Sequence, residues 1–481
     1  MKPLTMPLLL TSFTRENKTE GDCACSSSSV DISLPIPVPQ DDFLIPAGLI
    51  KLKLNDDFQV FLSPFGSKGA SVLNMAAIEV LSDHRRQIAQ PDLTSRLFSQ
   101  GLLETEKDNH ANDLCLHQPD TLTSWLHLTD RCNFRCSYCY LPHVREDMSV
   151  EVGRAAIESA FRSAILHNFK KIKFKYAGGE PLLQYPLIME LHSHARRMAD
   201  ENSLILEEVV LSNGSLLNAE IADAFKSQNI QLMISLDGLG DHHDIHRSYA
   251  GGRGSFADVS DAVELALQHG LVPNISVTVS GRTVEGLPSL LTWLVDRSLP
   301  FNLNFYRDND LSVSCQDMKL EEQKIITGIL AAFRVLEKNL PTRSVLGSIV
   351  DRANLISPHT HTCDVGRNYL VFDQHGQIAK CQMQIHKPIT DMTVNDPLAV
   401  LQTDQTGIQN LSVEEKQGCK TCEWKHWCAG GCPLATHRAT GRYDVKSPNC
   451  NIYKALYPEA LRLEGLRLLK YKNDPALVMK I

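Results

Sequence analysis

The chain has 481 residues, 43% hydrophobic and 22% charged, proportions near the globular average that supply apolar surface for a large core and exclude both wholesale disorder and a single small module. At about 150 residues per domain the length predicts roughly three domains. Lys and Arg number 48 against 56 Asp and Glu, a net charge of −8 that argues against nucleic acid as partner, and no run of 18 apolar residues exists to cross a membrane.

Residues 1–44 carry Ser26 to Ser29 and the prolines Pro35, Pro37 and Pro39 with little periodicity, which predicts a disordered leader. Pro3 and Pro7 break the first apolar stretch and no small-residue cleavage site follows, so an export signal is the weaker reading. A small mixed module over 45–103 follows, with strand-like runs Ile50 to Leu54 and Phe58 to Leu62 as a hairpin and an apolar-periodic helix from Ser71 to Leu81. Glu104 to Asp120 reads as a linker.

Between residues 120 and 315 six strand-like runs alternate with helical periodicity: Trp125 to Thr129, Ile172 to Ala177, Val209 to Asn213, Gln231 to Leu236, Asn274 to Val279 and Phe301 to Phe305. Such alternation predicts an α/β fold of parallel strands with helical crossovers, a partial (β/α)6 TIM-like barrel whose chemistry lies beyond the C-terminal strand ends. A helical connector over 316–362, a cysteine-rich region over 363–451 and a helical tail over 452–481 complete the chain.

Of 14 cysteines, three sit at Cys132, Cys136 and Cys139 and seven between Cys363 and Cys450. The first group is a C-x3-C-x2-C loop just after the first strand, compact enough to wrap one ion or one cluster. Three thiolates bind three irons of a [4Fe-4S] cluster and leave the fourth open for chemistry. The structural alternative is a zinc site that borrows His127 or His143.

This loop, with Tyr138 between two of its cysteines, resembles that of the radical S-adenosylmethionine (SAM) superfamily. Ala177-Gly178-Gly179-Glu180-Pro181 after the second strand resembles the family's glycine-rich motif, which contacts the methionyl amine of SAM; glycines there let backbone approach a ligand closely. By the same resemblance Ser212, Ser235 and Asp237 line the SAM site, Arg247 pairs with the SAM carboxylate and Tyr138 leans on the adenine, each against the plainer possibility of a turn or cap. The resemblance implies reductive cleavage of SAM to methionine and a 5′-deoxyadenosyl radical that abstracts hydrogen from an unactivated C–H bond.

In the second group, Cys363-x12-Gly376-x4-Cys381 is followed by Cys419-x2-Cys422-x5-Cys428-x3-Cys432-x17-Cys450. This array resembles the SPASM domain of radical SAM peptide maturases, zinc ribbons being the alternative. The resemblance implies two auxiliary [4Fe-4S] clusters, hence three in all. Cys363, Cys381 and Cys432 would serve the first and Cys419, Cys422, Cys428 and Cys450 the second. The first set is one ligand short, which implies an open iron or a cap from Cys115 or Cys315.

Residues 45–103 resemble a PqqD-like element that binds the leader of a precursor peptide by strand addition, the alternative being a docking domain that binds nothing. The expected function is post-translational modification of a ribosomally made precursor peptide by crosslink, excision or dehydrogenation. A sulfatase-maturase-like enzyme or one acting in peptide-derived quinone cofactor biosynthesis is the nearest alternative, and a non-catalytic zinc-binding peptide adaptor the distant one. An electron donor such as flavodoxin or ferredoxin and a cytoplasmic location follow from oxygen-labile clusters. No catalytic acid or base is assigned; Asn302, Asn304, Tyr306, Arg307 and Asp308 face the expected cavity or cap the barrel mouth.

Overall fold

The computed structural model describes residues 6–11, 43–65, 69–105, 119–312, 315–474 and 479–480. Its centre is a sheet of nine strands: β1 (Thr121–His127), β2 (Lys171–Ala177), β3 (Ile205–Ser212), β4 (Gln231–Ser235), β5 (Asn274–Val279), β6 (Phe301–Phe305), β7 (Tyr369–Phe372), β8 (Gln377–Ala379) and β9 (Thr390–Asp391). They lie in the order β6-β5-β4-β3-β2-β1-β7-β8-β9. Strands β1 to β6 pair in parallel, as the alternation with helices requires, and β6 does not meet β7, so the barrel stays partial. The cysteine-rich region adds β7 in parallel to β1, then β8 and β9 antiparallel. No periodicity in the sequence had marked this continuation of the barrel sheet.

The period of two on these strands sorts the side chains. Ile172, Phe174 and Tyr176 of β2 join Leu122 and Leu126 of β1 in a core with Ala156, Ile157 and Phe161 of the first crossover helix, α1 (Val150–Leu166). Trp125 and Ala177 face the other way, into a second apolar cluster with Tyr369 and Val371 of β7. Each fully buried Leu, Ile or Phe contributes about 1.5–3 kcal/mol, so the continuous layer under the helices dominates the stability. Ser149 caps α1 by accepting from the Val152 N–H, which fixes the helix start.

Preceding the barrel, an antiparallel sheet orders Met479–Lys480, Leu9–Thr11, Ser71–Asn74, Phe58–Leu62 and Ile50–Lys53 side by side, with helices Met75–Ser82, His84–Ala89 and Pro91–Ser99 against it. Two expectations need correction. The expected helix from Ser71 is a strand to Asn74, because the Asn74 side chain accepts from the Ala77 N–H and starts the helix only there. The leader expected to be disordered supplies Leu9–Thr11, wholly buried between two strands, and Phe43–Leu44, which pairs with Glu104–Thr105 of the expected linker. Residues 1–5 and 12–42 of the leader, with Cys23 and Cys25, and Cys115 of the linker lie outside the described residues.

The tail helix, α2 (Cys450–Lys470), begins on the last cysteine of the second group rather than at Ile452. It packs along the connector helix α3 (Glu322–Lys338), and at Gly465 the space for a Cβ is taken by Leu54 and Val60 of the N-terminal sheet. A buried ion pair, Arg467 to Glu464 at 2.6 Å, secures its last turns. Among the described residues no helix is long and apolar enough to cross a membrane.

Candidate active site

The loop after β1 is pinned from several sides at the C-terminal edge of the sheet. The Gly179 N–H donates to the Thr129 carbonyl at 2.7 Å and the Glu180 N–H to that of Arg131 at 2.9 Å. A Cβ at Gly179 would stand 2.3 Å from the Arg131 oxygen, and one at Gly178, 2.5 Å from that of Thr129. What the two glycines approach is therefore the backbone of the cysteine loop, and this packing is itself a reason for both residues. Asn213 reaches the loop from β3, its Nδ2 donating to Asn133 Oδ1 at 2.9 Å and lying 3.9 Å from Cys132 Sγ. His246 closes the far side, Nδ1 on Ser137 Oγ and Nε2 on Ser280 Oγ, both at 2.8 Å.

Burial pushes the Cys132 thiol up to about 11 and that of Cys136 to about 12, and raises Cys139, whose own charge adds to the rise of the other two. Desolvated thiols held together become thiolates only against a strong positive centre, which is the donor chemistry an iron–sulfur cluster demands. Among the described residues no group of three or more His, Cys, Asp or Glu side chains is arranged around a single metal ion. His127, one of the two zinc ligands considered, spends its Nε2 on Asp130 Oδ1 at 2.7 Å.

Asp237 is the hub of an adjoining buried polar cluster. Its carboxylate accepts from Arg247 Nε at 2.8 Å, the Thr278 N–H at 2.8 Å and the Tyr138 hydroxyl, and Arg247 lies over the Tyr138 ring at 5.3 Å. Burial raises the Asp237 carboxyl, but the Arg247 guanidinium and the hydrogen bond from Tyr138 outweigh it and hold the group ionised below the usual carboxylate range. Tyr138, Asp237 and Arg247 form one unit whose interactions among themselves fix the guanidinium. Glu180 is buried at the end of β2, accepting from the Leu182 N–H at 2.9 Å, Ser212 Oγ at 2.8 Å and the Asn213 N–H at 2.7 Å; burial nevertheless pushes it up to about 7. A carboxylate has about four acceptor sites, and these donors take three of them. Ser235 stands half-buried at the end of β4.

His243 and His246 escaped the sequence reading as supports. His243 Nδ1 accepts from the Asp237 N–H at 3.3 Å, and burial brings both imidazoles down to about 4, so they stay neutral. Their i, i+3 spacing just before Arg247 is the signal that marks them.

The second cysteine group divides in two. Cys419, Cys422, Cys428 and Cys450 line one cavity with Trp424, Tyr453 and Tyr457. Cys363, Cys381 and Cys432 lie in the apolar cluster of Trp125 and Tyr369 that also takes in Cys139 of the first loop. Of the residues expected to face the cavity, Asn302 and Asn304 donate to Asn274 Oδ1 and Ser276 Oγ, and Tyr306 shares a hydrogen bond with Ser312. Arg307 is buried against Asp351, both contacts at 2.8 Å, and Asp351 also accepts from Tyr453. Arg307 is thus a structural tie between barrel and connector. The Asp308 carbonyl accepts from Arg438.

The partial barrel, with a three-cysteine loop at the C-terminal end of its first strand, has a radical SAM fold. Residues 126–294 match the Radical SAM superfamily. The chain is 28% identical over 182 residues to an uncharacterized protein of Methanocaldococcus jannaschii, 37% of this chain and 61% of that one. It is 21% identical over 370 residues, 71% of this chain and 96% of that one, to the cysteine-type anaerobic sulfatase-maturating enzyme of Clostridium perfringens. The antilisterial bacteriocin subtilosin biosynthesis protein AlbA of Bacillus subtilis is 28% identical over 167 residues, 34% of each chain. The solved structure of anSMEcpe with bound AdoMet and Cp18Cys peptide shares the fold at a TM-score of 0.60 and 18% identity, over 74% of this chain and 99% of that one.

Proposed function

We propose that this chain is a radical SAM maturase that modifies a peptide or protein substrate with three [4Fe-4S] clusters. Cys132, Cys136 and Cys139 would hold the SAM-binding cluster, Cys363, Cys381 and Cys432 the first auxiliary cluster, and Cys419, Cys422, Cys428 and Cys450 the second. The observation that carries the reading is the gathering of Cys419, Cys422, Cys428 and Cys450 around one cavity, apart from Cys363, Cys381 and Cys432, which share an apolar cluster with Cys139. When bound, the cluster and SAM supply one-electron reductive cleavage of a sulfonium and with it a carbon radical.

The chain's own residues prepare that chemistry. The guanidinium of Arg247, oriented by Asp237, is a planar donor for a carboxylate, and Glu180 keeps one acceptor position for an ammonium. Gly178, Ser212 and Ser235 complete the lining of the SAM site at the ends of β2, β3 and β4, and Trp125, Leu141 and Tyr369 exclude water from the thiols beside Cys139.

Full-length coverage of the Clostridium perfringens enzyme favours a protein or peptide side chain as substrate. The N-terminal sheet, with Ile50–Lys53 at its edge, favours a PqqD-like role in which a precursor's leader adds as a further strand. Flavodoxin or ferredoxin in a reducing cytoplasm would supply the electron. Anaerobic reconstitution tests the core of the reading: iron and sulfide for three clusters, release of 5′-deoxyadenosine with dithionite, and loss of that release in the triple alanine variant of Cys132, Cys136 and Cys139. Zinc in place of iron, or unchanged release in the variant, overturns it. Mass spectrometry of a co-expressed precursor then identifies the bond made or broken.

A further inference from the structure

Lys416 is 1% exposed, and the structure holds it from both ends. It follows the short turn Val413–Glu415, fixed by a reciprocal cap between Ser412 and Glu415, and its Nζ donates to the Ala429 carbonyl at 2.7 Å. Its stem fills the place of a side chain at Gly430, where a Cβ would stand 2.5 Å from Lys416 Cδ. Ala429, at φ +47°, and Gly430, at φ +83°, belong to the tight loop joining Cys428 of one auxiliary set to Cys432 of the other.

Nearby buried or half-buried lysines are neutralised by carboxylates, Lys380 by Asp404 and Lys425 by Glu414, both at 2.8 Å. Among the described residues Lys416 has no such partner. Geometry sets it between the two cysteine sets: the Ala429 carbonyl that holds its ammonium also accepts from Thr362, the neighbour of Cys363, and follows Cys428, while the Lys416 carbonyl accepts from the Cys419 N–H at 3.1 Å. Burial lowers the Lys416 pKa, and only the charge of ligated thiolates opposes it. An unpaired buried ammonium costs several kcal/mol unless negative charge lies beside it. Here that charge has to come from the thiolate-ligated groups on either side.

We propose that Lys416 is the shared counter-charge of the two auxiliary clusters, a positioning residue whose buried ammonium raises the reduction potential of both. The inference rests on the two-cluster reading above. A cation beside a cluster favours the reduced form, which carries one more negative charge, and net charge and hydrogen bonding are among the protein's levers on cluster potential. One ammonium reached by thiols of both sets acts on both couples.

The test is a redox titration followed by electron paramagnetic resonance on the reconstituted full chain, comparing wild type, Lys416→Gln and Lys416→Arg. Gln keeps a donor for the Ala429 carbonyl but carries no charge, whereas Arg keeps the charge. Expected for Lys416→Gln are unchanged iron and an unmoved SAM-binding cluster. Both auxiliary midpoints fall, with the reduced-to-oxidised ratio at the wild-type midpoint dropping about tenfold, which is 59 mV for one electron. Lys416→Arg stays near wild type. Movement of one auxiliary midpoint alone, or of neither, overturns the proposal. Should Lys416→Gln lose iron, Lys416→Met, close to lysine in length, is titrated instead and judged identically. A wild-type protein lacking two auxiliary signals overturns the cluster assignment instead.

Discussion

Asn309 donates its side-chain amide to the main-chain carbonyl of Tyr138 at 2.9 Å, tying the segment after β6 to the middle of the cysteine loop. Its Oδ1 accepts from the N–H groups of Leu311 and Ser312, so one side chain organises its own turn and holds the loop across the barrel mouth. Asn309→Ala leaves a carbonyl beside the cluster ligands without its donor, a cost of about 1–3 kcal/mol. The expected outcome is a lower melting temperature and more 5′-deoxyadenosine released per modified substrate, read by chromatography of both products.

Gly179→Ala places a methyl group against the Arg131 carbonyl, backbone against backbone, where no side chain can turn aside. Overpacking of this kind costs about 1–3 kcal/mol and falls directly on the cysteine loop. Iron content after reconstitution is expected to drop by one cluster, with the auxiliary signals intact.

His243 and His246 have folded-state values near 4 against 6.5 unfolded, so the unfolded chain binds more protons between those limits. Their contribution is present above pH 6.5 and is lost as pH falls toward 4, at most ~3 kcal/mol for each. Glu180 acts in the opposite direction, its value raised from 4.5 to about 7, so its contribution is lost as pH rises through that window. His246→Gln is expected to be less stable than wild type at pH 7, with the gap narrowing toward pH 4, as measured by thermal unfolding of the two proteins in parallel.

Breaking the Arg307–Asp351 pair strands a buried guanidinium. Asp351→Ala is expected to destabilise the fold by about 3–5 kcal/mol, seen as a lower urea midpoint, whereas Tyr453→Phe costs about 1 kcal/mol. A role for Arg307 in substrate contact would instead lower modification without changing stability.

The barrel strands were legible because β-branched and aromatic runs recur between helical segments, and β5 and β6 begin and end where the pattern places them. Three features were hidden for reasons of physics. Leu9–Thr11 is too short to carry a pattern and is held by Ser71–Asn74, 60 residues and more away in sequence. The run from Ser71 to Leu81 is apolar apart from Ser71, Asn74 and Glu79, so the Asn74 cap is what separates strand from helix. Arg307 and Asp351 are single residues whose meeting depends on tertiary packing. At the site, the cysteines announced themselves by spacing, while the Asp237 hub did not, since a residue that serves another side chain leaves no period in the sequence.

The tail helix has Cys450 in its first turn and Gly465 against the N-terminal hairpin, about 22 Å apart along a helix at 1.5 Å per residue. A rod of that length converts a small tilt at one end into a displacement at the other, with Pro458 between them as a place to bend. On the proposed reading, docking of a segment on the edge of the N-terminal sheet and the seating of Cys450 as an iron ligand would share one lever.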